Sequence, residues 1–208
     1  MDSSDAADLI AEIHEDRAEH EQAERFRNRA ALLIALLAAL LAIGGLGGGN
    51  ATDDMIFNNI RASDTWAFFQ AKNMRQTLYE VAADELEAEI AAGGTATPAQ
   101  TARLAAYRAT IARYEDEPDP EAPNDETRGE GKKQLRAQAE AYEAARDRAG
   151  EQDGNFDMAE VLLQLSLVLG SVAILAVNRP ILILSGLLGL AGAALTANGF
   201  MLLVPLPV

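Results

Sequence analysis

Histidine is the side chain best suited to metal binding and to proton transfer near neutral pH, and this chain has two, His14 and His20. They lie six residues apart, so on a helix they point in different directions, whereas two ligands on one face are four residues apart. The chain has no cysteine, which excludes disulfides, thiolate catalysis and cysteine-ligated metals. We therefore predict solvated histidines and no metal site.

Carboxylates are the most abundant reactive groups, with 32 acidic residues against 17 basic ones and a net charge of -15. Acid-base catalysis by two carboxylates needs a fixed separation inside a cleft, and no pattern here indicates a cleft. Glycine-rich phosphate loops, nucleophile triads and metal-ligand spacings are also absent from the sequence. We predict no enzyme, no catalytic residue, no cofactor and no identifiable small-molecule substrate; the negative charge argues against nucleic acid as a partner.

Three apolar runs, at 30–49, 159–177 and 181–204, predict transmembrane helices. The first contains twenty uncharged residues, which as a helix measure about 30 Å, the thickness of the hydrocarbon core of a bilayer. Asn178, Arg179 and Pro180 form the predicted tight turn between the second and third runs. Membrane lipids are thus the first expected partners.

Polar groups inside these runs are few, and only Glu160, at the entrance of the second span, is ionisable. Gln164 and Asn198 are expected to form hydrogen bonds across helices rather than to line a pathway. Small residues recur at four-residue steps, which permits close helix contact. The candidate helix-packing residues are Gln164, Ser166, Gly170, Ser185, Gly189, Ala193 and Asn198.

Residues 1–29 form an acidic N-terminal segment, and residues 50–158 form a predicted extramembrane region with helices at about 51–92, 98–116 and 131–150. Thr97 to Gln100 has the pattern of a capping box, which starts the second of these helices. Prolines and acidic residues at 117–130 predict an exposed loop. The glycines at 44–49 either loosen the end of the first span or allow neighbouring helices to approach closely.

The outgoing helix carries apolar groups mostly at three- and four-residue steps, among them Ile60, Met74 and Leu78, and needs a partner to cover them. The two return segments together measure about 58 Å, close to about 63 Å for the outgoing helix. The predicted fold is therefore an all-α membrane protein with three transmembrane helices and a long antiparallel helical hairpin, a coiled-coil-like stalk, between the first and second.

Arginines near the span ends predict the orientation, because cytoplasmic ends carry an excess of Lys and Arg. The topology determinants are Arg25, Arg27 and Arg29 before the first span and Arg179 in the tight turn. They favour a cytoplasmic N-terminus, a periplasmic stalk and a multi-pass protein of the bacterial inner membrane.

An unusual concentration of aromatic residues lies at 61–80, where the only Trp and two of the six Phe fall within four residues. A single return leg covers one side of such a helix, so a second copy is expected to cover the other. The candidate oligomer interface is Trp66, Phe68, Phe69, Lys72, Arg75 and Tyr79.

The same stretch, read as Arg-Ala-Ser-Asp-x-Trp-Ala-Phe-x-Gln-Ala-Lys-x-x-Arg-Gln from Arg61 to Gln76, resembles bacterial membrane proteins grouped as domain-of-unknown-function family 4337. The resemblance extends over nearly the whole chain and implies a bacterial inner-membrane protein. It implies no activity.

The functional prediction is a non-enzymatic homo-oligomeric membrane scaffold or structural assembly protein. One alternative is an oligomeric pore or transport component, in which Gln164, Ser171, Thr196 or Asn198 face a hydrated axis. A second alternative is an extracytoplasmic sensor or partner-binding subunit, for which the chain offers no cytoplasmic output module beyond 29 residues.

Overall fold

The computed structural model describes residues 3–205, and over that range the protein is helical with no strand. The helices are α1 (Ser3–Gly93), α2 (Pro98–Glu115), α3 (Lys132–Ala176) and α4 (Arg179–Met201). The extended backbone in the described residues pairs only at an isolated bridge between Pro118 and Gly129. The all-α prediction is confirmed for the described part of the chain.

Three of the helices, α1, α3 and α4, are long and apolar enough to cross a membrane. The mean hydropathy of their most apolar 18-residue windows is 2.5, 2.0 and 1.9. The runs predicted as spans at 30–49, 159–177 and 181–204 fall in these helices, with α4 ending three residues earlier than predicted. The helices are consistent with a membrane protein.

Helix α2 begins as the sequence predicted. The Thr97 side chain accepts from the backbone N–H of Gln100, and the Gln100 side chain accepts from the backbone N–H of Thr97, which completes the capping box. Pro98 occupies the first turn, where its missing N–H is not needed. At the other end of the chain, α4 stops where Leu202 adopts a left-handed conformation and its N–H bonds the Asn198 carbonyl at 2.7 Å.

Two helix ends that the sequence predicted, near residues 50 and 150, are absent. Helix α1 continues through residue 50 and α3 continues through residue 150. Glycine lowers helix propensity by only about 1 kcal/mol, so packing decides whether a glycine run interrupts a helix. The alternative of close helix approach holds at Gly47 and Gly48, where an added Cβ would lie 2.6 Å and 3.2 Å from the Phe156 side chain. These glycines act as packing positions and leave the helix intact.

The chain divides into two compact units. The apolar unit comprises the residues up to Thr52 and those from Gly150 onward, and the polar unit comprises Asp53–Ala149. In the apolar unit, α1, α3 and α4 pack on one another through small residues. An added Cβ at Gly189 would meet Leu37 of α1 and Ser166 of α3, and one at Gly192 would lie 2.7 Å from Leu163 of α3.

Ser166 of α3 and Ser185 of α4 join these helices by reciprocal hydrogen bonds. The Ser166 hydroxyl donates to the Ser185 carbonyl at 2.5 Å, and the Ser185 hydroxyl donates to the Ser166 carbonyl at 2.7 Å. Both side chains are fully buried. The pair thus satisfies two polar groups in the interior and holds two helices at close distance.

Candidate functional site

The polar unit is organised around the part of α1 that carries the aromatic-rich stretch, and α2, the 116–131 loop and the start of α3 cover one side of it. The covered positions recur at alternating steps of three and four residues, which is the period of a coiled-coil seam. This covered seam consists of Ala62, Thr65, Phe69, Lys72, Gln76, Tyr79, Ala83 and Leu86, all buried or half-buried.

Lys72 lies at the centre of the covered seam. Its ammonium group contacts Glu117 at 3.0 Å, donates to the Glu130 backbone carbonyl and lies 5.6 Å from the centre of the Tyr114 ring. Because its side chain is only 14% exposed, these partners replace the water contacts that the ammonium group loses on burial. Lys72 therefore ties α1 to both ends of the loop between α2 and α3.

The predicted loop at 117–130 exists and is tied down by backbone and side-chain hydrogen bonds. Gln134 of α3 donates to the Asp116 carboxylate at 2.6 Å and accepts from the Glu117 N–H at 3.2 Å. Gln138 donates to the Gly129 carbonyl at 2.9 Å. The proline and acid content indicated the loop, but the two glutamines that hold it have no recognisable pattern.

Glu115 is held in its charged form in the same region. Its pKa lies below the ordinary 4.5, chiefly because the Gln76 side chain donates to the carboxylate at 3.1 Å and next because the Lys132 ammonium does so. A lowered folded-state pKa contributes stability above about pH 4.5, and this contribution is lost as pH falls through the folded-state pKa.

Replacing Glu115 with Gln is therefore expected to flatten the acid limb of stability. Between about pH 5 and pH 3 the unfolding free energy of Glu115→Gln falls less steeply than that of the wild type, because one titrating group of shifted pKa has been removed. Urea unfolding at several pH values, monitored through Trp66, the only tryptophan, measures this. Glu121→Gln, which removes one carboxylate at an exposed loop position, serves as the control for loss of charge, and an equal change of slope in both variants would contradict the role of Glu115.

A second face of α1 in the polar unit has no covering element among the described residues. Its positions also alternate in steps of three and four and span four heptads, about 36 Å of helix. Leu78 is 66% exposed and Met74 70%. This exposed stripe consists of Phe57, Ile60, Asp64, Ala67, Ala71, Met74, Leu78 and Val81.

The exposed stripe corrects the expectation about which apolar residues the return segments cover. Ile60, Met74 and Leu78 were expected to pack inside the unit and instead face outward, whereas Leu86, on the covered seam, is buried. The reason is that the covered seam contains polar side chains, Lys72 and Gln76 among them, whose partners lie in the loop and in α2. Prediction from hydrophobicity alone chose the exposed stripe as the buried face of α1.

The six predicted interface residues divide between the two faces. The Trp66 indole donates to the Glu143 carboxylate at 2.9 Å, and Tyr79 packs edge-on against Tyr107 and Tyr114. Phe69 and Lys72 also have partners inside the unit. Phe68 and Arg75 are exposed beside the exposed stripe.

Arg75 lies where two surface grooves of the polar unit adjoin. One groove, of about 480 Å³, is lined by Leu78, Tyr79 and Tyr107 as well as Arg75. The other, of about 410 Å³, includes Phe68 and again Arg75. Among the described contacts Arg75 forms no ion pair, so a guanidinium group and apolar surface are available together, a combination enriched at protein interfaces.

The predicted helix-packing residues lie mostly inside the apolar unit. Ser166, Gly170, Ser185 and Gly189 are buried, and Ala193 is half-buried. Gln164 is exposed and donates to Glu160 of its own helix at 2.8 Å.

Asn198 does form the hydrogen bond across helices, donating to Asn155 of α3 at 2.7 Å. Asn155, which is 1% exposed, was not identified from the sequence; it lies between the predicted helix that ends at about residue 150 and the predicted span at 159–177.

The predicted topology arginines Arg25, Arg27, Arg29 and Arg179 are all exposed, as are His14 and His20. Over the residues described, no group of three or more His, Asp or Glu side chains is placed to hold a metal ion.

Comparison with known proteins gives one match. No curated protein and no solved structure matches the chain. A family model described as a domain of unknown function, DUF4337, matches residues 26–202, which include the two faces of α1, the loop and all three span candidates. The chain belongs to the DUF4337 family.

Proposed function

We propose that this protein is a non-enzymatic, homo-oligomeric scaffold of the bacterial inner membrane, whose copies associate through the exposed stripe of α1. The N-terminus is cytoplasmic and the polar unit is a periplasmic stalk of antiparallel helices. The observation that carries the proposal is that α1 has a second complete heptad seam, from Phe57 to Val81, with no covering element among the described residues.

A second copy of this chain is the occupant that the stripe favours. Its a and d positions lie on one continuous helix, and the partner that fits such a seam is another helix with the same repeat. Copies inserted with one orientation in one membrane present their α1 helices in parallel. In a parallel, in-register pair the small residues Ala67 and Ala71 face their own counterparts, which allows the two helices to approach closely.

Asp64 is expected to weaken the association of two copies. It occupies an a position in the middle of the seam, where a parallel pair brings two carboxylates together. A single polar residue at such a position fixes register at a cost in stability. The seam thereby favours one alignment of the two copies and permits reversible assembly.

Cysteine cross-linking tests the seam cleanly because the chain contains no cysteine. In the parallel pair, Ala67→Cys and Ala71→Cys each bring identical residues within the Cα separation of about 4.4 to 6.8 Å that a disulfide requires. We expect each variant to give a covalent dimer under mild oxidation in native membranes. Ala105→Cys, at an exposed position of α2, is the matched control and stays monomeric.

The cross-linking results distinguish a parallel pair, an antiparallel pair and a monomer. Cross-linking only in a mixture of Ala67→Cys and Ala71→Cys chains indicates an antiparallel pair and contradicts the parallel seam. Equal yields at Ala67 and Ala105, together with a monomeric mass for the detergent-solubilised protein, overturn the proposal. Leu78→Glu is expected to reduce dimer formation at least tenfold, because a charge then occupies the seam, whereas Ala105→Glu leaves it unchanged.

Hydrogen bonds in the apolar unit support a scaffold over a pore. Thr196 is 4% exposed and donates to the Gly192 carbonyl of its own helix at 3.0 Å, and Asn198 bonds Asn155 of α3, so both side chains take part in packing within the apolar unit. Gln164 and Ser171 are exposed, but each donates within α3. Ion flux through liposomes that contain the purified protein tests the alternative. Flux that a bulky residue at Gln164 or Ser171 abolishes would contradict the scaffold and support the pore.

A further inference from the structure

Three arginines from distant parts of the chain line one cavity of the apolar unit. Arg25 and Arg29 precede the apolar run of α1, and Arg179 is the first residue of α4. The cavity measures about 550 Å³, which is within the usual size range of a small-ligand pocket. The fold thus brings together cations that lie 150 residues apart in the sequence.

The charges of this cavity are poorly compensated inside the protein. Arg25 contacts Glu21 at 3.2 Å, and both side chains are more than two-thirds exposed, so solvent weakens the pair. No ion pair among the described residues involves Arg29 or Arg179, and no acidic side chain lines the cavity. The N-terminus of α4 adds positive partial charge at the same place. An anion is therefore the ligand that the cavity favours.

The remaining lining residues are the polar Gln22 and three apolar residues, and the apolar ones indicate what kind of anion binds. Phe26, Leu182 and Ile183 give the cavity an apolar side, and Ile183 is 64% exposed. The cavity is next to the start of two span candidates, which in the membrane arrangement proposed above places it where the headgroup region of a bilayer meets its hydrocarbon core. A phosphate group with acyl chains attached satisfies both the guanidinium groups and the apolar wall.

We propose that this arginine cavity binds the headgroup phosphate of an anionic glycerophospholipid, with the first acyl carbons against Phe26, Leu182 and Ile183. Basic pockets between membrane helices on the cytoplasmic side are known to bind anionic headgroups in this way. The site goes beyond self-association, because it needs only one copy of the chain. Arg29 and Arg179, which the sequence identified only as topology determinants, then have a second role as residues that bind a particular class of lipid.

Native mass spectrometry of the detergent-solubilised full chain tests the site. The probes are phosphatidylglycerol, phosphatidylcholine with the same acyl chains, and inorganic phosphate. We expect retention of one phosphatidylglycerol in preference to phosphatidylcholine, and no effect of inorganic phosphate at equal concentration. In Arg29→Gln/Arg179→Gln, affinity for phosphatidylglycerol is expected to fall about 25-fold, since each arginine near an anionic headgroup contributes about fivefold.

Arg27→Gln is the matched control, because it removes the same charge from the same stretch of α1 but Arg27 does not line the cavity. It is expected to retain phosphatidylglycerol within twofold of the wild type. An equal loss in the control, or equal retention of both lipids by the wild type, overturns the proposal. Competition by inorganic phosphate at equal concentration also overturns it, by assigning the cavity to a free anion. Should the double variant fail to fold, the lipid preference of the wild type and its loss in 1 M salt decide the question.

Discussion

An alanine in place of Gly129 is expected to lower the unfolding free energy of the polar unit by about 3 to 5 kcal/mol. Gly129 has φ +129°, a region that side-chain-bearing residues rarely adopt. An added Cβ would also meet the Glu117 carbonyl oxygen and lie 2.9 Å from both the Asp119 nitrogen and the Pro118 Cα. Backbone atoms cannot rotate away as a side chain can, so the bridge between Pro118 and Gly129 must open.

Opening that bridge removes further contacts. The hydrogen bonds from Asp119 N–H to the Arg128 carbonyl and from Glu130 N–H to the Glu117 carbonyl, at 3.2 Å and 2.9 Å, depend on it. Lys72 then loses both Glu117 and the Glu130 carbonyl, leaving a largely buried cation without those partners. Urea unfolding monitored by Trp66 fluorescence measures the loss.

Gly94→Ala is the matched control for Gly129→Ala. Gly94 also has a positive φ, +79°, but an added Cβ would have no atom within 4 Å. Its substitution is expected to cost only the left-handed backbone penalty, about 1 to 2 kcal/mol. Equal costs at the two positions would show that the loop contacts of Gly129 contribute nothing to stability.

Alanine at Gly47 is expected to destabilise the apolar unit by about 2 to 3 kcal/mol through overpacking. The new Cβ would lie 2.6 Å from the Phe156 ring, and the ring has no room to withdraw. Gly48 and Gly199 also border the Phe156 side chain, Phe200 packs edge-on against the ring with centroids 4.9 Å apart, and Phe156 is 3% exposed. Unfolding of the solubilised protein in increasing dodecyl sulfate, monitored by circular dichroism, gives the free energy.

Two comparisons make the Gly47 prediction specific. Gly45→Ala, two residues away, places a Cβ in open space and is expected to be neutral or slightly stabilising. In a double-mutant cycle, Phe156→Leu is expected to recover about 1 kcal/mol or more of the cost of Gly47→Ala, because the smaller side chain gives way. Additive effects would show that the two residues do not interact.

Local signals in the sequence predicted the helix ends well. Thr97 and Gln100 marked the start of α2 because a capping box involves only neighbouring residues. Asn178 and Pro180 marked the turn before α4 for the same reason, and the Asn178 side chain does cap the helix by accepting from the Ile181 N–H at 3.2 Å. Such patterns are readable because their partners lie within one helical turn.

The faces of α1 could not be read in the same way. Two heptad seams lie on this helix. The more apolar one, with Met74 and Leu78, was predicted to be buried but is exposed. The covered seam holds Lys72 and Gln76, whose partners Glu117 and Glu115 are about forty residues away in the sequence. A polar residue is acceptable in a seam only when such distant partners are present, and periodicity contains no information about them.

The glycines at 44–49 were ambiguous for a related reason. Whether Gly47 interrupts a helix or accommodates a neighbour depends on Phe156, more than a hundred residues away. The arginine cavity likewise required the fold, because the sequence identified Arg25, Arg29 and Arg179 only as topology determinants and did not show that α4 places Arg179 beside the other two. In each case the missing quantity was a distance between segments remote in the chain.

The reciprocal bonds between Ser166 and Ser185 have a mechanical consequence. Sliding α4 along α3 by a single residue, about 1.5 Å, would stretch both bonds at once, since each hydroxyl reaches the backbone of the opposite helix. The two hydrogen bonds therefore fix the axial register of α3 and α4, because even a small displacement along the helix axis weakens both of them. Lateral separation of the pair would leave four buried polar atoms without those partners, so this contact is expected to be among the last in the apolar unit to open.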